Sequence, residues 1–182
     1  MTGAPSSRES AWAVKSALLA LVENFSLRRL DMLVLYQNVM NDQIYDKAVA
    51  LLNVRMHTTG ELFQKLTTRG FKPAEIGEVL RKLEELGFLD DQKFAEIFVD
   101  NLKRYKDFGY YGIKANLLAR KIPSDMAEGA LSEFFTLEDE EIVARRLIGK
   151  LKRQGRDTFE KLAASLQGKG FRGEVIRKVL NK

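Results

Sequence analysis

The chain has 182 residues, of which 45% are apolar and 30% charged, the balance of a globular protein rather than of a disordered or fibrous one. It contains no cysteine and a single histidine, which excludes disulfides, thiolate zinc sites and metal sites built on two histidines. No apolar run approaches the roughly 20 residues that cross a bilayer, and the start lacks the order of a secretory signal. We therefore expect a cytoplasmic protein without cofactor or metal.

The charge is concentrated towards the C-terminal end. The net charge is +5, and residues 142–182 hold 12 basic and 3 acidic side chains. Such a density is typical of a surface that meets phosphates or an acidic protein face. Only three prolines and thirteen glycines interrupt a sequence rich in helix-forming residues, so the composition predicts an all-α fold.

The first 40 residues do not match the pattern of the rest. We interpret residues 1–40 as an N-terminal helical extension that packs on the element after it, with Trp12 in its core. Self-association or contact with a membrane surface is the alternative role for this segment.

Three stretches of similar sequence follow, beginning at Arg69, Arg120 and Lys169, with spacings of 51 and 49 residues. They share four apolar columns at helical spacing. The columns are Phe71, Ile122 and Phe171; Ile76, Ala127 and Ile176; Val79, Ala130 and Val179; and Leu80, Leu131 and Leu180. The match extends one helix upstream in each copy, so the sequence predicts tandem three-helix repeats.

The first predicted repeat covers residues 41–89. Thr58 with Glu61 has the pattern of a capping box in front of its second helix, and Gly70 stands where a left-handed C-cap is needed. Pro73 is placed to open the third helix at its first turn.

The second and third predicted repeats cover residues 90–137 and 138–182. Asp90 or Asp91 caps the first helix of the second repeat, and the acidic run at 138–141 favours the positive end of the next helix dipole. Units this small bury little core alone, so we expect neighbouring repeats to share contacts and the chain to be elongated.

The segment LEELGFLDDQKFAEIFVDNLKR, Leu83 to Arg104, resembles the RecX family of recombinase regulators. The likeness lies in a leucine-rich helix, a Gly-aromatic-Leu-Asp-Asp joint and a Phe-Ala helix, and with the other copies it covers residues 44–182. The lead-in carries the family's order of basic, hydroxyl, acidic and Gly-Phe residues through Arg55, Thr58, Glu61, Leu62, Arg69, Gly70 and Phe71.

The resemblance implies a protein that binds the RecA filament, lies in its helical groove, and modulates, usually inhibits, strand exchange and ATP hydrolysis. We expect it to be a monomer that meets single-stranded DNA in the filament context. It also implies no catalysis by the chain itself. The sequence agrees with this, since it has no GxxxxGK phosphate loop, no GxSxG motif and no histidine or cysteine cluster.

A DNA-binding helix-turn-helix module is the alternative, and charge argues against it. In that fold the third helix of a unit enters the major groove. The helix from Pro73 is largely acidic, the helix from Pro123 carries no base, and only the last, with Arg172, Arg177 and Lys178, suits a groove.

The remaining basic and tyrosine side chains form the predicted RecA- and DNA-binding face. Interleaved tyrosines and bases can stack on or pair with single-stranded DNA. In the competing interpretation, the tyrosines seat a helix on the core and the basic side chains are simply solvated. Separately, His57 is predicted to be a surface residue beside a helix cap. The predicted face consists of Lys103, Arg104, Lys106, Tyr110, Tyr111, Lys114, Arg120, Lys121, Arg145, Arg146, Lys150, Lys152, Arg153 and Arg156.

Overall fold

The computed structural model describes residues 42–181. Within that range every regular element is an α-helix and there is no strand. In chain order the helices are α1 (42–52), α2 (Thr59–Thr67), α3 (Pro73–Glu85), α4 (Asp91–Tyr105), α5 (Tyr110–Ala119), α6 (Ser124–Phe134), α7 (Leu137–Arg153), α8 (Phe159–Gly168) and α9 (Gly173–Leu180).

The helices form three consecutive triplets, called here repeat 1 (α1 to α3), repeat 2 (α4 to α6) and repeat 3 (α7 to α9). In each triplet the second helix packs on the third. The prediction of an all-α fold made of tandem three-helix repeats is therefore confirmed. The N-terminal extension with Trp12 lies outside the described residues, and the exact repeat boundaries and the elongated shape stay predictions. Between residues 42 and 181, no helix is both long and apolar enough to cross a membrane.

Helix starts follow from local side-chain chemistry. Asp90, rather than Asp91, caps α4, because its carboxylate accepts a hydrogen bond of 2.8 Å from the Lys93 amide. Thr136 and Asp139 form a complete capping box at the start of α7, which fixes the first turn of that helix.

The apolar side chains form two separate cores. Repeat 1 closes its own core around buried side chains such as Leu62, Ile76 and Leu83. Repeats 2 and 3 share one continuous core, in which Phe135 and Leu166 are fully buried. The expected sharing of apolar contacts between neighbours thus holds for repeats 2 and 3, whereas repeats 1 and 2 meet through polar groups.

A residue two or three positions after the end of each middle helix adopts the left-handed backbone conformation. Its φ angle is +88° at Gly70, +66° at Lys121 and +77° at Gly170. Such a residue turns the chain towards the third helix and is usually glycine, because a Cβ there costs about 1 kcal/mol. Lys121 is the one non-glycine residue in this conformation among residues 42–181.

Candidate interaction surface

Repeats 1 and 2 meet at a polar contact that we call joint A, where the start of α2 lies against the end of α5. The Thr58 hydroxyl donates a hydrogen bond to the Arg120 carbonyl. The Thr59 amide and hydroxyl donate to Asp91 Oδ1 at 2.8 Å and 3.3 Å. Burial raises the pKa of Asp91 above its ordinary value, against the hydrogen bonds from Thr59. Joint A therefore depends on side chains that accept or donate across the boundary.

Glu61 gathers cationic and aromatic nitrogen donors in the same joint. Its carboxylate accepts from both Nη atoms of Arg55, from Nη1 of Arg120 and from the ring of His57, each at 3.1 Å. Although burial alone would raise it, the pKa of Glu61 is lowered by the hydrogen bonds from Arg55 and His57. The capping box predicted for α2 is consequently half formed: Thr58 accepts from the Glu61 amide, while the Glu61 carboxylate faces Arg55 and Arg120.

The prediction that His57 is a surface residue is wrong. Only 5% of His57 is exposed, because its ring is enclosed at joint A beside Glu61. Burial lowers the pKa of His57, so the neutral ring donates its Nδ1 proton to the Glu61 carboxylate at neutral pH.

Repeats 2 and 3 meet at a second contact, joint B, where the backbones touch directly. The Gly109 amide donates to the Lys169 carbonyl at 3.0 Å, and the Tyr111 amide donates to the Gly170 carbonyl at 2.9 Å. A Cβ added to Gly112 would lie 2.2 Å from the Lys169 carbonyl oxygen. Glycine is required there because the two helix ends approach more closely than any side chain allows.

Glu140 is the buried acceptor of joint B. It is fully buried, and its Oε1 accepts from the backbone amides of Tyr110 and Arg172 at 3.0 Å and 2.8 Å. Its Oε2 accepts from Arg172 Nε, and the Arg172 guanidinium lies 4.8 Å from the centre of the Tyr110 ring. A buried carboxylate is tolerated only with such complete pairing.

The two joints use the same positions of the repeat. Asp91 and Glu140 lie 49 residues apart, and each accepts from the first amide of the preceding middle helix. Lys121 and Gly170, also 49 residues apart, are the left-handed residues against which that helix packs. From the sequence, Asp91 was predicted only as a possible helix cap and Glu140 only as part of the acidic run at 138–141, although their shared register was a detectable signal of a common role.

Three of the predicted face residues tie repeats 2 and 3 together. Asp107, in the loop after α4, accepts from Arg146 Nε at 2.9 Å and from Lys150 Nζ at 2.6 Å. Arg146 also donates to the Lys103 carbonyl, and Lys103 Nζ lies 2.7 Å from the Asp139 carboxylate. Although burial alone would raise it, the pKa of Asp107 is lowered by the hydrogen bonds from Lys150 and Arg146. These side chains therefore have intramolecular partners that sequence spacing did not reveal.

Apart from Arg120, which pairs with Glu61 at joint A, the other basic face residues divide into paired and unpaired groups. Three form ion pairs on their own helix or with its neighbour: Arg104 with Asp100, Lys114 with Glu128, and Arg145 with Glu141. Such exposed pairs contribute little to stability. Exposed residues with no ion-pair partner within 42–181 are Lys106, Lys121, Lys152, Arg153 and Arg156.

The two tyrosines of the predicted face have different surroundings. Tyr110 is half buried beneath Arg172, whereas 59% of Tyr111 is exposed. Their rings meet edge to face, with centres 5.4 Å apart. Tyr110 therefore packs within joint B, and Tyr111 alone presents its ring to solvent.

Family models match both of the first two repeats. The first three-helix domain of RecX matches residues 45–83, and the second three-helix domain matches residues 90–131. Among solved structures, the crystal structure of RecX from Lactobacillus salivarius superposes with a TM-score of 0.72 at 26% identity, covering 79% of this chain and 96% of that one. A second crystal structure of a regulatory protein RecX, at 21% identity, has a TM-score of 0.78 and supports the fold.

Curated relatives agree with the family models. The regulatory protein RecX of Prosthecochloris aestuarii is 31% identical over 137 residues, which cover 75% of this chain and 91% of the relative. That of Geobacillus kaustophilus is 33% identical over 75% of this chain, which spans about half of the relative, 52% of its length. The chain therefore belongs to the RecX family of regulatory proteins.

Proposed function

We propose that this chain binds the RecA filament assembled on single-stranded DNA and inhibits its ATP hydrolysis and strand exchange, as a cytoplasmic monomer without catalysis of its own. The observation that carries the proposal is membership of the RecX regulatory family, with the matched domains joined to each other and to the third repeat. The proposal also agrees with the roles of the buried and half-buried charged side chains described above, such as Glu61 and Glu140, which connect repeats.

In this proposal the unpaired cations of repeat 3 provide the electrostatic contact. Lys152 and Arg153 end α7, Gly155 turns the chain, and Arg156 follows, all exposed. These residues have no carboxylate partner in the described part of the chain, so they keep their charge available for phosphates. Arg146 and Lys150 are instead paired with Asp107 of repeat 2 and contribute less to filament binding.

The test is a titration of the ATPase rate of RecA beside fluorescence anisotropy of the same labelled single-stranded DNA without RecA. We expect inhibition at near-stoichiometric ratios, at a salt concentration where bare DNA is little bound. Equal affinity for filament and bare DNA, with inhibition only when the DNA is sequestered, contradicts the proposal.

Charge reversal tests the contact itself. The double variant Lys152→Glu with Arg156→Glu should weaken filament binding and reduce the salt dependence by up to about 0.7 to 0.9 of a slope unit for each lost phosphate contact. The matched control, Lys47→Glu with Arg81→Glu, makes the same change in net charge at exposed positions of repeat 1. Equal losses in both variants mean that only the net charge matters.

A general DNA-binding module is the second candidate function. The observation in its favour is the same group of unpaired cations, Lys152, Arg153 and Arg156, which lie exposed at and just after the end of α7. Against it stands the acidic character of the third helices of repeats 1 and 2, which carry exposed carboxylates such as those of Glu85 and Asp125.

A further inference from the structure

Two adjacent clefts open at joint A and share the side chain of Met56. The first, with a cavity of about 270 Å³, lies between the α1–α2 and α3–α4 connections and is lined by Leu52, Met56, Phe88 and Lys93, among others. The second, of about 200 Å³, lies between repeats 1 and 2. Its lining includes Arg55, Met56, Ile97, Phe98, Asn101 and Arg120.

Large apolar side chains stand exposed along both clefts. The exposed fraction is 58% for Phe88, 48% for Met56 and 37% for Ile97. Single exposed apolar residues are ordinary on protein surfaces, but a continuous apolar surface marks an interaction site. Because Met56 lines both clefts, these residues form one surface that crosses from repeat 1 to repeat 2.

The dimensions of the clefts indicate what they can hold. Each is smaller than the roughly 300 to 1,000 Å³ of a pocket for a drug-sized ligand or cofactor. A cleft of this size suits one apolar side chain of a partner protein. Two clefts on either side of Met56 suit an extended segment that places two side chains.

The charge of the second cleft adds a polar requirement. Arg55 and Arg120 line it, and no carboxylate does. Both guanidinium groups contact the single carboxylate of Glu61, which leaves one positive charge uncompensated in this group. Arg120 uses only Nη1 for Glu61, and its guanidinium lies 5.3 Å from the centre of the Phe98 ring. A carboxylate next to an apolar side chain therefore matches the cleft.

A nucleic acid strand fits this surface less well than a protein segment. Asp90 lines the first cleft, and Glu96 precedes the lining residue Ile97 on α4. A strand carries a phosphate at every nucleotide and would pass these acidic groups, whereas a protein segment needs only one carboxylate at the guanidinium pair. Among the three exposed apolar residues of this surface, Phe88 alone offers an aromatic face for base stacking, whereas Met56 and Ile97 are aliphatic.

We propose that this Met56 surface, consisting of Met56, Phe88, Ile97, Arg55 and Arg120, docks a segment of a RecA protomer that presents apolar side chains next to a carboxylate. The inference rests on the proposed function and names the surface through which the partner protein is held. Joint A is then part of the docking surface, because Arg55 and Met56 come from repeat 1 whereas Ile97 and Arg120 come from repeat 2.

The test compares two double variants of the full chain. Met56→Glu with Ile97→Glu should weaken binding to RecA filaments on single-stranded DNA by about tenfold, because it puts carboxylates where the partner's carboxylate and apolar groups dock. Leu137→Glu with Ile142→Glu, at residues 44% and 59% exposed towards the acidic start of α7 and at the opposite end of that helix from Lys152, is the matched control and should bind within about twofold of wild type. Binding is measured by cosedimentation with the filament, and folding by circular dichroism.

Each outcome has one meaning. If the wild-type chain binds the filament and Met56→Glu/Ile97→Glu binds it equally well, the Met56 surface is overturned and the proposed function stands. An equal loss of affinity for bare single-stranded DNA means that the surface holds nucleic acid, which also overturns it. Absence of filament binding by the wild-type chain overturns the proposed function and, with it, RecA as the docked partner. If the glutamate variant does not fold, Met56→Ala with Ile97→Ala takes its place, with an expected loss of about threefold.

Discussion

Joint A and joint B are built at the same positions of the repeat with different chemistry. In both, an acidic residue of the next repeat accepts from the first amide of the middle helix, Asp91 at joint A and Glu140 at joint B. Joint B adds backbone contact through glycines and lies over a core shared by repeats 2 and 3. Joint A has no shared core and relies on the cluster around Glu61.

The difference shows that the contact between neighbouring repeats can either stabilise the chain or also form a surface for a partner. Where glycines let the backbones touch, as at Gly112, the closest contact is made by backbone atoms and not by side chains that could also meet a partner. Where side chains such as Arg55 and Arg120 make the contact, they also line clefts that open to solvent. We therefore expect joint B to contribute mainly stability and joint A to contribute mainly recognition.

The largest expected effect comes from the buried carboxylate of joint B. Glu140→Gln removes the charge that compensates Arg172 and places an amide group among hydrogen-bond donors, so it should lower the free energy of unfolding by about 3 kcal/mol. Urea denaturation measures the loss. Glu138→Gln, at an exposed position of the same first turn, is the control and should cost less than about 1 kcal/mol. Equal costs would mean that Glu140 acts only through the helix dipole.

A smaller effect tests whether the joints are interchangeable. A Cβ at Gly60 would lie 2.5 Å from the Cβ of Lys121, whereas at joint B the equivalent pair is Tyr111 and Gly170. Gly60→Ala should therefore destabilise the chain by about 1 to 3 kcal/mol, and Lys121→Gly should restore most of that loss.

The double-mutant cycle separates this contact from general effects of alanine and glycine. Lys121→Gly alone should be neutral or stabilising by up to about 1 kcal/mol, because it relieves a left-handed residue that carries a Cβ. Gly77→Ala, in α3 with no described atom within 4 Å of an added Cβ, should be mildly stabilising. If the effects of Gly60→Ala and Lys121→Gly on the free energy of unfolding are additive, the two residues do not constrain each other and the prediction is wrong.

The sequence predicted the parts of the molecule that are local or repeated. The apolar columns at Ile76 and Leu131 are buried as expected, and Asp90 caps its helix because the cap needs only the next three residues. The joints could not be predicted from the sequence, because the residues that contact each other there lie far apart in the chain. Asp107 and Arg146, for example, are separated by 39 residues, and nothing in the spacing of Arg146 along α7 points to that loop.

The smallest expected effect is the change in stability at low pH, which has opposite signs at Asp91 in joint A and at Asp107 beside joint B. Burial alone would raise the pKa of Asp107, but hydrogen bonds from Lys150 and Arg146 lower it. Ionised Asp107 therefore stabilises the fold above the unfolded pKa of about 4. This contribution is lost as the pH falls through the lower pKa of the folded state. Burial raises the pKa of Asp91, so ionisation of this group costs stability, and the cost disappears as the pH falls towards about 4 and below.

Asp107→Asn and Asp91→Asn should therefore diverge from wild type in opposite directions with pH. The stability advantage of wild type over Asp107→Asn, at most about 1 kcal/mol at pH 7, should shrink between about pH 5 and pH 3. The stability of wild type relative to Asp91→Asn should instead improve over the same range, because asparagine keeps an acceptor for Thr59 without the charge. Urea midpoints measured at intervals across this range decide the matter. If both differences change in the same direction, the contrast between a half-buried carboxylate without a cationic partner at joint A and an ion-paired one beside joint B is wrong.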